Sequence, residues 1–147
     1  MKKDRSVAFT SFAIKAGLVL CVISLFVMPY AASIYKVLSI MENDVTVPLL
    51  ITFYSCAAVG IFILLVLDKL VNNIRKGNVF TDENVKFLRI LSYACLVISV
   101  ITLIFAAFRF LACIITFSSL FFALILRVIK NCFEEAVRLR EENDYTI

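Results

Sequence analysis

An all-α protein is predicted by this sequence: a four-helix transmembrane bundle with a C-terminal helix that extends into the cytoplasm. Of its 147 residues, 63% are hydrophobic and only 18% are charged. A soluble domain is about half apolar and a quarter charged. Four long stretches contain no Asp, Glu, Lys or Arg, and they are residues 16–35, 45–67, 90–108 and 110–126. Each stretch has the length of a membrane crossing, which needs roughly 20 apolar residues.

We predict one domain, residues 1–147, in which each stretch forms one helix. The first follows a basic N-terminus like that of a signal peptide, but its apolar run is longer than a secretory one, so we interpret it as a retained helix. The last two stretches are separated only by Arg109. A single helix through both would be nearly twice as long as the bilayer core is thick, so the chain must reverse there. The predicted helices span about residues 12–35, 47–74, 82–108 and 110–142.

The basic residues concentrate on one side of the predicted membrane. Thirteen of the 15 Lys and Arg precede helix one, lie between helices two and three, or follow helix four. Only Lys36 and Arg109 fall on the other side. Basic residues near helix ends stay in the cytoplasm, so we expect both termini there. The net charge of +4 then describes a surface against anionic lipid, and we expect no direct nucleic acid binding.

The membrane-spanning stretches offer little for catalysis. The sequence has no His or Trp, and an ionisable residue at mid-membrane depth, which would mark a proton or ion pathway, is missing. The five cysteines have no CxxC spacing. We therefore predict no enzyme activity, no cofactor and no metal site. Pro29 should bend helix one, and the pairs Ala13/Gly17 and Cys56/Gly60 have the spacing of close helix packing or of a homodimer seam.

The middle loop, residues 68–89, has the signals of an ordered turn between two helices. Gly77 is placed for a left-handed C-cap after helix two, behind basic residues in its last turn. Thr81 is a good N-cap for helix three, and Phe80 with Val85 has the spacing of a hydrophobic staple. This turn either only fixes the angle between two helices or forms one wall of a site for a cytoplasmic partner.

The C-terminal helix favours the second interpretation. Beyond the membrane it keeps an apolar stripe at helical spacing that includes Ile129, Phe133 and Val137. The stripe must be covered by the middle loop, the membrane surface or another protein. The acidic residues of the tail disfavour anionic lipid. The apolar last residue, Ile147, with its free carboxylate would suit a groove with backbone donors, although a frayed terminus is the ordinary expectation.

The middle loop and tail motifs, residues 73–89 and 127–147, resemble a family of small four-helix bacterial membrane proteins of unknown function. Gly77, Phe80, Thr81, Asn84 and Asn131 match the motifs of that family. Its members often carry Asp-Leu-Thr before the last residue, where this chain has Asp-Tyr-Thr at 144–146. They are often encoded beside a small Cro/CI-type helix-turn-helix regulator. The resemblance implies a regulatory protein of the bacterial cytoplasmic membrane.

Two functions remain open from the sequence. The first is a regulatory or binding protein in the lipid bilayer that docks a cytoplasmic partner, a small helix-turn-helix transcription regulator, through its middle loop and C-terminal helix. The alternative is a homo-oligomeric pore or an accessory subunit of an exporter, for example in toxin resistance, for which Ser92, Ser99 and Thr102 form a thin polar stripe. The partner-binding residues predicted for the first function are Asn73, Gly77, Phe80, Thr81, Asn84, Asn131, Phe133, Glu135, Glu142, Asp144, Thr146 and Ile147.

Overall fold

Four long helices make up most of the protein in a computed structural model, which describes the backbone of residues 2–38 and 46–144 and the side chains of residues 7–34 and 46–143. Each helix is long and apolar enough to cross a membrane, and the described residues contain no strand. The predicted fold class is confirmed. The helices are α1 (Lys2–Leu38), α2 (Thr46–Arg75), α3 (Asp82–Ala106) and α4 (Ala112–Asp144).

Some helix ends differ from the predicted ones because a helix can be longer than the segment that crosses the membrane. α1 begins at Lys2 and not near residue 12, because a helix continues past the lipid when its backbone bonds are already made within the segment. The predicted reversal at Arg109 is confirmed, and the turn occupies residues 107–111. Bonds such as Phe108 N–H to Phe105 O (2.9 Å) and Ala112 N–H to Arg109 O (2.9 Å) tighten both helix ends there.

Successive helices run antiparallel and lie side by side. Ser92 of α3 bonds to Ala123 of α4, and Ser99 of α3 bonds to Thr116. Among the described residues, close backbone approach occurs between α1 and α2, α2 and α3, and α3 and α4 only. A Cβ placed on Gly17 would lie 3.6 Å from Leu64 of α2, which confirms the predicted packing at this glycine.

The second predicted packing face, at Cys56 and Gly60, does not show the close contact that Gly17 makes. A Cβ placed on Gly60 would meet no described atom within 4 Å. No neighbouring helix of the described part of the chain therefore packs closely on Gly60, and the homodimer seam stays a prediction.

α3 is the best enclosed helix, and its N-terminal half holds the apolar core. Leu88 and Leu91 of α3 pack with Val66 and Leu70 of α2 in one buried cluster. Leu126 and Phe133 of α4 and Phe87 of α3 are among the half-buried side chains that pack against it. The cluster lies at the end of the bundle where α2 turns into α3, which we call the corner (residues 76–81). The three helices are thus fastened together at the corner end.

Pro29 leaves a backbone carbonyl in α1 without its helical donor, and α2 supplies a replacement. A proline has no N–H, so Pro29 cannot bond to the carbonyl of Leu25. The hydroxyl of Tyr54 in α2 donates to that carbonyl oxygen at 3.2 Å. Lipid offers no donor for a freed carbonyl, so a neighbouring helix is the expected source. The bend at Pro29 stays a prediction, whereas its hydrogen-bond consequence is visible.

We predict that Tyr54→Phe lowers the unfolding free energy by about 1 kcal/mol, since the Leu25 carbonyl then has no donor. The measurement is SDS-induced unfolding of the full chain in mixed micelles. Tyr30→Phe, at a tyrosine that is 75% exposed, is the matched control and should change stability by less than about 0.5 kcal/mol.

Pro29→Ala isolates the cause. An alanine at this position has an N–H for the Leu25 carbonyl, so Tyr54→Phe should cost much less in that background. An equal cost with proline and with alanine would show that Tyr54 acts through packing and not through this bond.

Candidate functional site

The corner begins with a helix C-cap built on Gly77. Gly77 has φ +87°, a left-handed conformation that glycine adopts without steric cost. Its N–H donates to Ile74 O (3.1 Å), and the N–H of Asn78 donates to Asn73 O (3.1 Å). These two bonds define a Schellman motif and satisfy the last carbonyls of α2. The predicted left-handed C-cap is confirmed.

Asn84 holds the corner in place from inside. Its side chain is fully buried, with 0% exposure. The amide Nδ2 donates to the carbonyl oxygens of Asn78 and Val79, both at 2.7 Å. Its Oδ1 accepts from Nδ2 of Asn73 at 3.2 Å. One amide therefore ties the corner to α2 and α3, and in this conformation Asn84 is not available to a partner.

The N-terminus of α3 confirms the predicted cap. Thr81 is the N-cap residue, and its Oγ1 accepts from the backbone N–H of Asn84 at 3.4 Å. Asp82 and Glu83 occupy the first turn, where negative charge is favourable. Glu83 Oε2 also accepts from Nδ2 of Asn73 at 3.0 Å. Asn73 and Thr81, two predicted partner contacts, use these groups within the chain.

The corner covers part of the apolar stripe of the α4 extension (residues 127–144), which continues α4 beyond its last apolar stretch. The rings of Phe80 and Phe133 lie 5.3 Å apart at 52°, and Phe133 also packs against the core cluster. Val137, one turn further on, is only 8% exposed. Phe80 of the corner therefore covers Phe133, whereas Ile129, the first member of the stripe, is 38% exposed.

The opposite face of the α4 extension is polar and uncovered. Four exposed residues follow one another there at helical spacing: Asn131, Glu135, Arg138 and Glu142. We call them the outer stripe. Arg138 pairs with Glu135 at 2.6 Å and with Glu142 at 3.6 Å. Leu139, which the sequence analysis did not single out, lies beside this stripe and is 50% exposed.

Three of the predicted partner contacts fall at the chain end. Asp144 is the last residue of α4, and the structure describes its backbone but not its side chain. Thr146 and Ile147 also lie outside them. The structure therefore brings together Asn73, Gly77, Phe80, Thr81, Asn84 and Phe133 at the corner, and places Asn131, Glu135 and Glu142 on the outer stripe.

A second charged group joins the α4 extension to α3. Glu134 pairs with Lys130 at 2.6 Å and with Arg89 of α3 at 3.4 Å. The hydrogen bond from Lys130, with the charges of Lys130 and Arg89, lowers the pKa of the Glu134 carboxyl, so it is ionised at neutral pH. No local sequence pattern predicts this contact, because 45 residues separate Arg89 from Glu134.

The hydroxyls of the thin polar stripe lie between α3 and α4. Ser92 donates to Ala123 O (3.0 Å) and Ser99 to Thr116 O (3.3 Å). Thr116 in turn donates to Thr102 Oγ1 (2.9 Å). All are buried. These groups join two helices of one chain, so the stripe on which the pore alternative depended does not face an open surface in this conformation.

At the end away from the corner, α2, α3 and α4 leave a cleft of about 450 Å³. Its lining is mostly apolar and includes Phe53, Phe105 and Ile115, with Thr102 and Arg109 as polar members. Arg109 is half-buried, whereas the flanking Phe108 and Phe110 are 53% and 85% exposed. Exposed aromatic rings beside an arginine fit the headgroup level at which the turn was predicted.

Metal ligands do not converge in the described part of the chain. No group of three or more His, Cys, Asp and Glu side chains there is arranged to hold a metal ion. The described cysteines are all free thiols.

Comparison with known proteins assigns the chain to a family. A family described as "Protein of unknown function (DUF2975)" matches residues 37–147, which include α2, α3, α4, the corner and the α4 extension. The chain belongs to the DUF2975 family. No curated protein and no solved structure matches it. The DUF2975 match shows that the corner and the α4 extension lie within one recognised family unit.

We predict that Asn84→Ala lowers the unfolding free energy by roughly 3 kcal/mol, because it leaves buried carbonyls of the corner without a donor. Backbone amides near Gly77 and Asn78 should then exchange faster in hydrogen–deuterium exchange. Asn72→Ala, which changes an exposed asparagine of α2, is the matched control. Unchanged exchange in Asn84→Ala would contradict the role assigned to this amide.

Proposed function

We propose that this protein is a membrane-anchored regulatory protein that docks a cytoplasmic partner on the outer stripe of its α4 extension, the face opposite the corner. The observation that supports this most is a helix that continues outside the apolar spans. The extension has 18 residues in α4, about 27 Å of helix. It is held by the Phe80–Phe133 ring contact and the Glu134 ion pairs.

The covered stripe changes which residues carry the proposal. Since Phe133 already packs against Phe80 and the core cluster, we place the partner on the opposite side. That side presents Asn131, Glu135, Arg138 and Glu142, with the exposed Leu139 along one edge. An apolar side chain next to charged groups resembles small binding interfaces, in which an apolar anchor is accompanied by polar contacts.

The partner that we favour is a small helix-turn-helix regulator of the bacterial cytoplasm. The support is the resemblance of the loop and tail motifs to a family whose members are often encoded beside such regulators. The charge of the surface is compatible with it, because Glu135 and Glu142 are carboxylates and DNA-binding proteins carry basic patches. A partner held here would be kept at the membrane.

The proposal needs the extension to face the cytoplasm. Because the helices alternate in direction, the N-terminus of α1, the corner and the end of α4 lie on one side. That side has 13 of the 15 basic residues, which favours the cytoplasm.

Cys132 tests this orientation directly, because it is exposed on the α4 extension. We expect a membrane-impermeant maleimide to label it in inverted membrane vesicles and not in intact cells. Cys132→Ser is the control for labelling at the other cysteines. Equal labelling in intact cells would place the extension outside and contradict the proposed function.

Two neighbouring glutamates provide a matched test of docking. Glu142 lies on the outer stripe, whereas Glu141 is 100° away around the helix. We expect Glu142→Lys to weaken capture of the partner about tenfold, since a reversed charge within an interface repels its counterpart. Glu141→Lys makes the same charge change and should leave capture nearly unchanged.

The partner is identified by a photo-crosslinking amino acid at position 139 of the full chain in its own cells. Mass spectrometry of an adduct that contains a helix-turn-helix protein would support the proposal. An adduct with an exporter subunit would favour the transport alternative, and absence of any adduct would contradict docking at this stripe.

A further inference from the structure

Three basic side chains converge between α3 and α4 on the corner side of the membrane. Arg89, Arg127 and Lys130, with Ser92 and Tyr93, line a small polar notch of about 50 Å³. We call it the basic notch. Ser92 uses its hydroxyl for Ala123 O, so the basic residues and the Tyr93 hydroxyl are the donors that remain for a ligand.

The basic notch has an excess of positive charge. Glu134 is the carboxylate paired there, and it is shared by Lys130 and Arg89. Arg127 is exposed and forms no ion pair with the described residues. Three cations and one carboxylate leave a net charge of +2, which suits a phosphate group better than a neutral ligand.

The notch lies at the level of lipid headgroups. Arg89 directly precedes the charge-free stretch 90–108, and Arg127 directly follows the charge-free stretch 110–126. The two arginines therefore border the apolar layer on neighbouring helices. Tyr93 lies one turn deeper in α3 and is 54% exposed, where an amphipathic ring is favoured.

An apolar groove lies on the other side of Tyr93 and extends toward the bilayer centre. It has a volume of about 300 Å³ between α2 and α3 and is lined by Val59, Phe62, Ile90, Tyr93, Ala94 and Val97. Tyr93 lines both the groove and the basic notch. A phosphate site at headgroup depth thus adjoins an apolar channel that runs deeper, and this combination matches the two parts of one phospholipid.

We propose that the basic notch and the apolar groove together bind one anionic phospholipid, with its phosphate among Arg89, Arg127 and Lys130 and an acyl chain along Tyr93 in the groove. This site is separate from the outer stripe of the α4 extension and does not depend on any protein partner. Because Lys130 and Arg89 also hold Glu134, a bound phosphate competes with the carboxylate that joins the extension to α3.

The test uses the full chain in nanodiscs of equal parts phosphatidylcholine and phosphatidylglycerol, without a partner, and counts retained lipids by native mass spectrometry. We expect the wild type to retain phosphatidylglycerol preferentially. Arg127→Gln should lower this retention about fivefold. Arg75→Gln, which removes an exposed charge on the same side of the membrane, should leave it unchanged.

A variant with the opposite sign excludes misfolding as an explanation. Glu134→Gln removes the competing carboxylate and should increase phosphatidylglycerol retention. Equal retention of the two lipids, or an equal loss in Arg75→Gln and Arg127→Gln, would overturn the site. Displacement of the lipid by millimolar inorganic phosphate would show that the notch takes a free ion, and it would overturn the lipid assignment. Since no partner is present, these outcomes do not depend on the docking proposal.

Discussion

A bilayer offers no water to the backbone, and every polar group within the apolar layer of this protein must find a partner in the chain itself. The α-helices satisfy most backbone N–H and C=O groups. The side-chain hydroxyls and the freed carbonyl of Leu25 form bonds between helices, and these bonds help to determine where the helices meet. Ser92, Ser99 and Thr116 connect α3 to α4 through carbonyl and hydroxyl oxygens, while Tyr54 connects α2 to α1. Without an apolar driving force between helices in lipid, such bonds and close packing determine which faces meet.

The two ends of the bundle follow from different solvents. At the corner end the chain meets water, so burying apolar side chains is favourable, and a cluster of leucines, valines and phenylalanines forms with Asn84 closing the turn. At the other end the short turn at residues 107–111 joins α3 to α4, and a mostly apolar cleft remains between α2, α3 and α4. The end that holds the buried cluster is therefore also the end that carries the proposed binding surface.

Local features of this fold were predictable from the sequence, and long-range pairings were not. Gly77 and Thr81 act as caps through their own neighbours, so their chemistry was visible in a window of a few residues. The reversal at Arg109 followed from length alone. The Phe80–Phe133 contact and the Arg89–Glu134 pair join residues about 50 positions apart, which no local pattern encodes. Asn84 was selected for its motif, but only the shape of the corner shows that its amide faces inward.

The hydrogen bond between Tyr54 and the carbonyl that Pro29 releases also sets the rotation of α1 about its own axis. This helix exposes many large apolar side chains, among them Phe12, Leu20 and Phe26. Hydrophobicity alone would therefore allow α1 to pack on α2 in several rotational orientations. Because of Pro29, one orientation is favoured: the one in which the Leu25 carbonyl faces the Tyr54 hydroxyl. A residue usually regarded as a helix breaker thereby helps to orient α1 against α2.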